Sequence, residues 1–247
     1  MITSVIETLN NHVSVRDFTN APLDDETLGK MLQAARRSPT SSNLQTYSLV
    51  VVRDQETKKE LAAIAGNQRH IETCPVFVAL CADLSRLKLA CELQKKPYAG
   101  SLERSLVATV DAALVGMSLS LAAESLGLGT VMIGAIRNDP TKAARLLGLP
   151  EGAYVVYGLC IGWPEERPPQ KPRLPEELVI HYERYNTDRD TTVERLQAHD
   201  KDLAEHYRSL GRETPDAAWT GTTARIASSP RREFLRQVLT DLGLNLD

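Results

Sequence analysis

The chain has 247 residues, 42% of them hydrophobic, and a formal net charge of −3 at pH 7. That length suits one large domain with an appendage, and the near balance of charge argues against bulk electrostatic capture of nucleic acid. The beginning carries no apolar signal core and no run reaches transmembrane length, so the expected location is the cytoplasm.

The first stretch of interest is HVSVRDF, residues 12–18, in which His12, Ser14 and Arg16 alternate. On an extended chain, alternate side chains point the same way, so an imidazole, a hydroxyl and a guanidinium share a face. DDETLGKMLQAARRS then predicts a helix capped by Asp24 or Asp25, with Leu28, Met31, Leu32 and Ala35 at helical spacing. The polar loop PTSSNLQ separates it from YSLVVV (47–52), a strand. ETKKELAAIAG predicts a helix stopped by Gly66, and VFVALCA (76–82) a second, buried strand. Residues 101–126 predict a long helix, apolar on most of its circumference and stopped by Gly127. A helix of that kind is central to its domain or buried by a partner chain. GTVMIGAI (129–136) predicts a third strand, DPTKAARLLGL a short helix with Pro140 near its start, and YVVYGLCIG (154–162) a fourth strand. WPEERPPQKPRLP cannot be a regular element; beyond it, 188–210 and 228–242 read as two polar, amphipathic helices. Strands alternating with helices give an α/β or α+β sandwich. The shift in composition near Pro164 divides a core, 1–163, from a C-terminal extension, 164–247.

Several chemistries lack their motifs. In GLGLGTVMIG the third glycine of a dinucleotide fingerprint would fall at Met132, and the glycines precede a strand instead of joining a strand to a helix. There is no Walker loop, Gly-x-Ser-x-Gly elbow or His-Glu-x-x-His. The cysteines, Cys74, Cys81, Cys91 and Cys160, form no Cys-x-x-Cys pair and have no histidine at zinc spacing; Cys81 and Cys160 are expected as buried, inert thiols, and no metal is expected. What remains is a set of cations, Arg16 with Lys171 and Arg173, which with Ser14 could clamp a phosphate. The alternative is a solvated Arg16–Asp17 surface pair and a merely soluble Lys-Pro-Arg.

HVSVRDFT, SPTSSNLQTYS, AGNQRHI, AAESLGLGTVMIGAIRN, YGLCIGWP and KPRLP, in that order and spanning nearly the whole chain, resemble the nitroreductase superfamily. Within it they are similar to the larger, NADPH-dependent branch of oxygen-insensitive nitroreductases and flavin reductases. The resemblance implies an α+β sandwich around a mostly antiparallel sheet, in an obligate homodimer with two FMN sites at the interface. It implies two-electron, ping-pong reduction of nitroaromatics, quinones, free flavin or related acceptors by NAD(P)H. NADPH is the expected donor, the chemistry is carried by FMN, and no catalytic side chain is needed. Carried over residue by residue, His12, Val13, Ser14 and Arg16 form the N-terminal flavin segment, with Val13 where the family usually has arginine. Lys171 and Arg173 are the second basic contact. Thr40, Ser41 and Ser42 reach the flavin from the other subunit, Gln68 lies near the ring, and Met132, Ile133 and Gly134 run along it, with Ala135 in place of a usual second glycine. Asn43 stands where some relatives touch the acceptor. Arg208, Arg212 and Arg225 are the candidate nucleotide contacts, while Pro215 and Asp216 stand where NADPH-specific relatives carry arginines. The competing expectations are a flavin-binding sensor without turnover, and another redox activity on the same fold.

Overall fold

A computed structural model describes residues 3–215 and 218–246; Asp216 lies outside them. Two compact units are present, one made of Met1–Pro168 with Arg232–Asp247, the other of Pro169–Arg231.

The first unit is built on four strands, β1 (Tyr47–Val52), β2 (Val76–Asp83), β3 (Gly129–Ile133) and β4 (Ala153–Gly162), in the order β1-β2-β4-β3 with every pair antiparallel. Around them lie helices α1 (Ser4–Asn10), α2 (Asp25–Ala35), α3 (Gln55–Ile64), α4 (Arg69–Thr73), α5 (Ser85–Leu93), α6 (Leu102–Ser125) and α7 (Pro140–Leu146). Period-two alternation in β2 divides the core between the faces of the sheet. Val76, Val78, Leu80 and Ala82 join α2 and α6 on one face, and Phe77, Ala79 and Cys81 join residues of α3, α4 and α7 on the other. A bulge opposite Leu80 and Cys81 lets β4 put both Val156 and Tyr157 on the α6 side. Burial in this core pushes the Cys81 thiol up to about 12 and the Cys160 thiol well above its ordinary value, so both are protonated and unreactive at neutral pH.

The local signals act as their chemistry requires. Asp24, not Asp25, caps α2, accepting the Thr27 N–H at 2.7 Å. Asp139 caps α7 ahead of Pro140. Helix α6 ends in a Schellman arrangement: the Leu128 N–H reaches the Ala123 carbonyl at 3.1 Å, the Gly127 N–H reaches that of Glu124 at 3.0 Å, and Gly127 takes the left-handed φ of 87°.

Three expectations are corrected. The third strand stops at Ile133, where a 3-10 turn over Gly134–Asn138 takes the chain out of the sheet. The helix expected at 228–242 is replaced by α9 (Thr220–Ala227) and α10 (Leu235–Asp241), because Pro230 cannot continue a helix between them. And α6 is long and apolar enough to cross a membrane by length and composition alone, since Ala, Gly, Ser and Thr extend its apolar run. Ala108, Ala112, Val115, Leu119 and Ala123 on it are nonetheless buried against the sheet, as in the core helix of a folded domain. In the first unit α10 supplies Leu239, with Leu244 beyond it, to the α6-side core.

The second unit contains α8 (Arg189–Ser209) and α9. Asp188 caps α8. Leu203 and Ala204 pack with Ala218, and the Asp200 carboxylate accepts the N–H groups of Trp219 and Thr220 at 2.7 and 2.8 Å.

The N-terminal arm docks on the free edge of β3. Ser14 bridges Thr130 in parallel register, and the Val15 N–H donates to the Thr130 carbonyl at 2.9 Å. Val15, fully buried, fills the space over Gly129, where an added Cβ would lie 2.7 Å from the valine side chain. Gly129→Ala should therefore cost about 1–3 kcal/mol by overpacking, read as a lowered urea midpoint, and Val15→Ala in the same chain should recover part of that loss.

Candidate functional site

The arm alternates as its sequence predicts. Val13 and Val15 turn into the core, while His12 and Ser14 are half-buried and Arg16 is exposed. Since the arm runs parallel to β3, it heads toward Met132 and Gly134. Met132 is 45% exposed on a strand whose other residues are buried. A Cβ on Gly134 would meet only the tip of the Arg137 side chain, at 3.4 Å. Gly134 and Ala135 thus open the 3-10 turn beside an uncovered apolar surface, with Ile133 buried beneath it.

Arg16 has one weak contact, to the Ser14 carbonyl at 3.5 Å, and among the described residues no carboxylate stands within ion-pair distance of it. A cleft of about 420 Å³ opens beside it, lined by Arg16, Asp17, Phe18, Arg69, His70 and Glu165 among others. The His70 Nε2 atom is buried there without a hydrogen-bond partner, and burial, helped by the Arg16 charge, holds its imidazole below the ordinary 6.5. Gln68 stands just before these residues, at the start of α4, donating to the Ala65 carbonyl at 3.1 Å.

His12 is held from behind. Its Nδ1 lies 2.8 and 3.1 Å from the two oxygens of Glu124, whose side chain is only 6% exposed. The same carboxylate accepts from Thr130 at 2.8 Å and Ser120 at 3.1 Å. Glu124 lies within AAESLGLGTVMIGAIRN, but nothing in that stretch of sequence singles it out.

The polar loop at 40–46 is held by a second buried acid, Asp111. This carboxylate, 1% exposed, accepts the Ser41 N–H at 3.2 Å and the Thr46 N–H and hydroxyl at 3.1 and 2.7 Å. Ser42, Asn43 and Gln45 all have positive φ, a cluster of strained non-glycine residues of the kind found where a loop must present particular groups. Thr40 enters this turn extended. Asp111 had a signal in the sequence: it is the only charged residue between Arg104 and Glu124 in an apolar helix.

Both acids belong to α6, thirteen positions apart, which is about 20 Å at the helical rise. The structure thus brings His12, Ser14, Arg16 and the Met132–Ala135 strand end together at one edge. It anchors Thr40, Ser41, Ser42 and Asn43 near the middle of α6, at Asp111. In the second unit Lys171 and Arg173 are exposed, with the Lys171 ammonium 5.4 Å from the centre of the Tyr207 ring; Arg208, Arg212 and Arg225 are also exposed there. Arg208 shares a hollow of about 530 Å³ with Glu213, Thr214 and Pro215.

The model of the nitroreductase family matches residues 9–163, and that of the family's C-terminal domain matches 171–247. The chain belongs to the nitroreductase family. The chain is 37% identical to an FMN reductase [NAD(P)H] of Bacillus subtilis, with 98% of each chain covered. It is 35% identical to an NADPH-flavin oxidoreductase of Vibrio harveyi, with 94% of this chain and 95% of the relative covered. Among solved structures it is similar to the NfrA1 nitroreductase of B. subtilis, at TM-score 0.94 and 33% identity, covering 98% of this chain and all of that one. The NADPH:FMN oxidoreductase of Vibrio harveyi complexed with NAD+ matches at TM-score 0.88 and 33% identity, covering 98% and 99%. The mixed helix and antiparallel-sheet fold of the family is the one found here.

Two outcomes test these local arrangements. Asp111→Ala strands three buried donors and should cost about 3 kcal/mol in urea unfolding, with Asp111→Asn losing less because one acceptor oxygen remains. His70 binds its proton more weakly folded than unfolded, so on acidification below about 6.5 the unfolded chain takes up the proton first and stability falls. His70→Gln should flatten that fall when melting temperature is followed from pH 7 to 5.

Proposed function

We propose that this nitroreductase is an FMN-dependent NAD(P)H oxidoreductase that reduces small organic acceptors, working as a homodimer. The observation that carries the reading is the edge of the sheet where hydroxyl and cationic side chains of the arm adjoin the uncovered Met132–Ala135 strand end. A molecule with an anionic tail and a flat apolar ring fits that donor set. His12, Ser14 and Arg16 would hold the phosphate-bearing tail; Gln68, Met132, Ile133, Gly134 and Ala135 would serve the ring, with Val13 setting the arm from beneath. Lys171 and Arg173, in the second unit, are offered separately as anion contacts. When bound, FMN supplies the two-electron chemistry, accepting hydride equivalents from a nicotinamide nucleotide and returning them to a nitroaromatic, a quinone or free flavin.

The side chains' own work is binding, orientation and charge. Arg16 brings an unpaired guanidinium, and charge-assisted pairs with phosphate oxygens are about twice as strong as neutral ones. Asn43, held at positive φ in a rigid turn, is offered as an acceptor contact. Arg208, Arg212 and Arg225 are offered as contacts for the nucleotide donor, with NADPH preferred to NADH.

Two observations support a dimer. On α6, Leu102, Leu106, Val110, Leu114 and Met117 are 38–54% exposed and recur every three or four residues, an apolar stripe that water leaves uncovered. The anchors of the arm and of the 40–46 loop also stand thirteen residues apart on α6, about 20 Å at the helical rise, a separation that a partner's loop meeting this chain's arm would bridge.

The purified protein should be yellow, with FMN as the released chromophore; a colourless protein that takes up no added FMN would sink the reading. Arg16→Ala and Lys171→Ala should each weaken FMN binding by about tenfold or more, measured by flavin fluorescence. Stopped-flow reduction should be faster with NADPH than with NADH. Leu106→Glu with Val110→Glu should shift the sedimenting species from twice the chain mass to one.

A further inference from the structure

Glu124 stands where a carboxylate is least welcome. It occupies the last turn of a 24-residue helix, at the negative end of the dipole, with no basic residue in that turn. It is also nearly buried, at 6% side-chain exposure. Such a position persists only when donors converge on it: His12 Nδ1 and the Thr130 hydroxyl lie 2.8 Å from it, and the Ser120 hydroxyl, 3.1 Å from the carboxylate and 2.6 Å from the Thr130 oxygen, shares its one proton between the two. The donors come from separate elements. Ser120 is one turn back on α6, Thr130 is the β3 residue that bridges Ser14, and His12 is two residues before Ser14 on the arm. The carboxylate therefore grips both sides of the Ser14–Thr130 bridge.

We infer that Glu124 is the positioning residue of the anion-binding arm, acting through His12. An ionised carboxylate only accepts, so the ring presents Nδ1–H to it, which fixes the tautomer and the plane of the imidazole. With the ring fixed, His12 is presented in one orientation before any ligand arrives. The inference rests on the proposal that this arm holds the FMN phosphate.

The test is to titrate the full-length protein and its Glu124→Ala, Glu124→Gln, His12→Ala and His12→Ala/Glu124→Ala variants with FMN and, separately, with riboflavin, which lacks the phosphate. Far-UV dichroism and melting temperature are followed throughout. Glu124→Ala should weaken FMN by about tenfold and riboflavin by less than about twofold. Glu124→Gln, which keeps one acceptor oxygen for Nδ1–H, should restore part of the FMN affinity. The double variant should bind FMN no worse than His12→Ala, because the carboxylate acts through the ring. Equal losses for the two flavins, or losses that multiply independently in the double variant, would show Glu124 to be a merely structural residue and overturn the inference while leaving the FMN site standing. If Glu124→Ala fails to fold, the Gln variant decides: unchanged FMN affinity of the His12→Ala background on adding Glu124→Gln supports the route through His12, and a further loss overturns it. Wild-type protein that binds neither flavin overturns both readings together.

Discussion

Two carboxylates buried in one apolar helix organise the first unit. A buried carboxylate costs several kcal/mol unless donors converge on it, so Asp111 and Glu124 each compel a neighbouring segment to bring its N–H and O–H groups inward. Asp111 draws in the turn at Ser41 and Thr46, and Glu124 draws in His12 and Thr130. The rest of α6 is small and apolar on its inner face, where Ala108, Ala112 and Ala123 let it lie close to β2 and β4. The sheet fixes the helix, the helix fixes the acids, and the acids fix two irregular segments that belong to none of the four strands.

The irregular segments carry the chemistry for a reason. Regular strands spend their backbone donors and acceptors on each other, and their side chains on packing. The arm, by contrast, docks with Val13 and Val15 inward and leaves every second side chain over. The 40–46 turn pins its backbone on Asp111 and leaves Ser41 and Ser42 exposed, Ser42 at positive φ. The end of β3 behaves similarly: after Ile133 the chain abandons the sheet, so its last residues are available to something other than a strand.

Much of this was legible in the residues. The unbroken apolar runs VFVALCA and YVVYGLCIG mark strands buried on both faces, and the Asp24 and Asp139 caps and the Gly127 stop are local signals that the fold obeys. Alternation in the arm was legible too, because valines separate the polar residues. Pairings across long sequence distances were not: nothing local in AAES says that its glutamate meets a histidine 112 positions earlier. The short helices α1 and α5 escaped as well, since 7 and 9 residues are too few for a helical period to declare itself. The exit of residues 134–136 from the sheet is equally silent in sequence, since GAI is as compatible with a strand as with a turn.

The 20 Å between the two anchors has a genetic consequence. If each site takes its arm from one subunit and its loop from the other, a hybrid of an Arg16-defective chain and a Ser41-defective chain contains one doubly damaged site and one wholly intact one. Two alleles that are each inactive alone would then complement within a mixed assembly, recovering activity that neither pure population has.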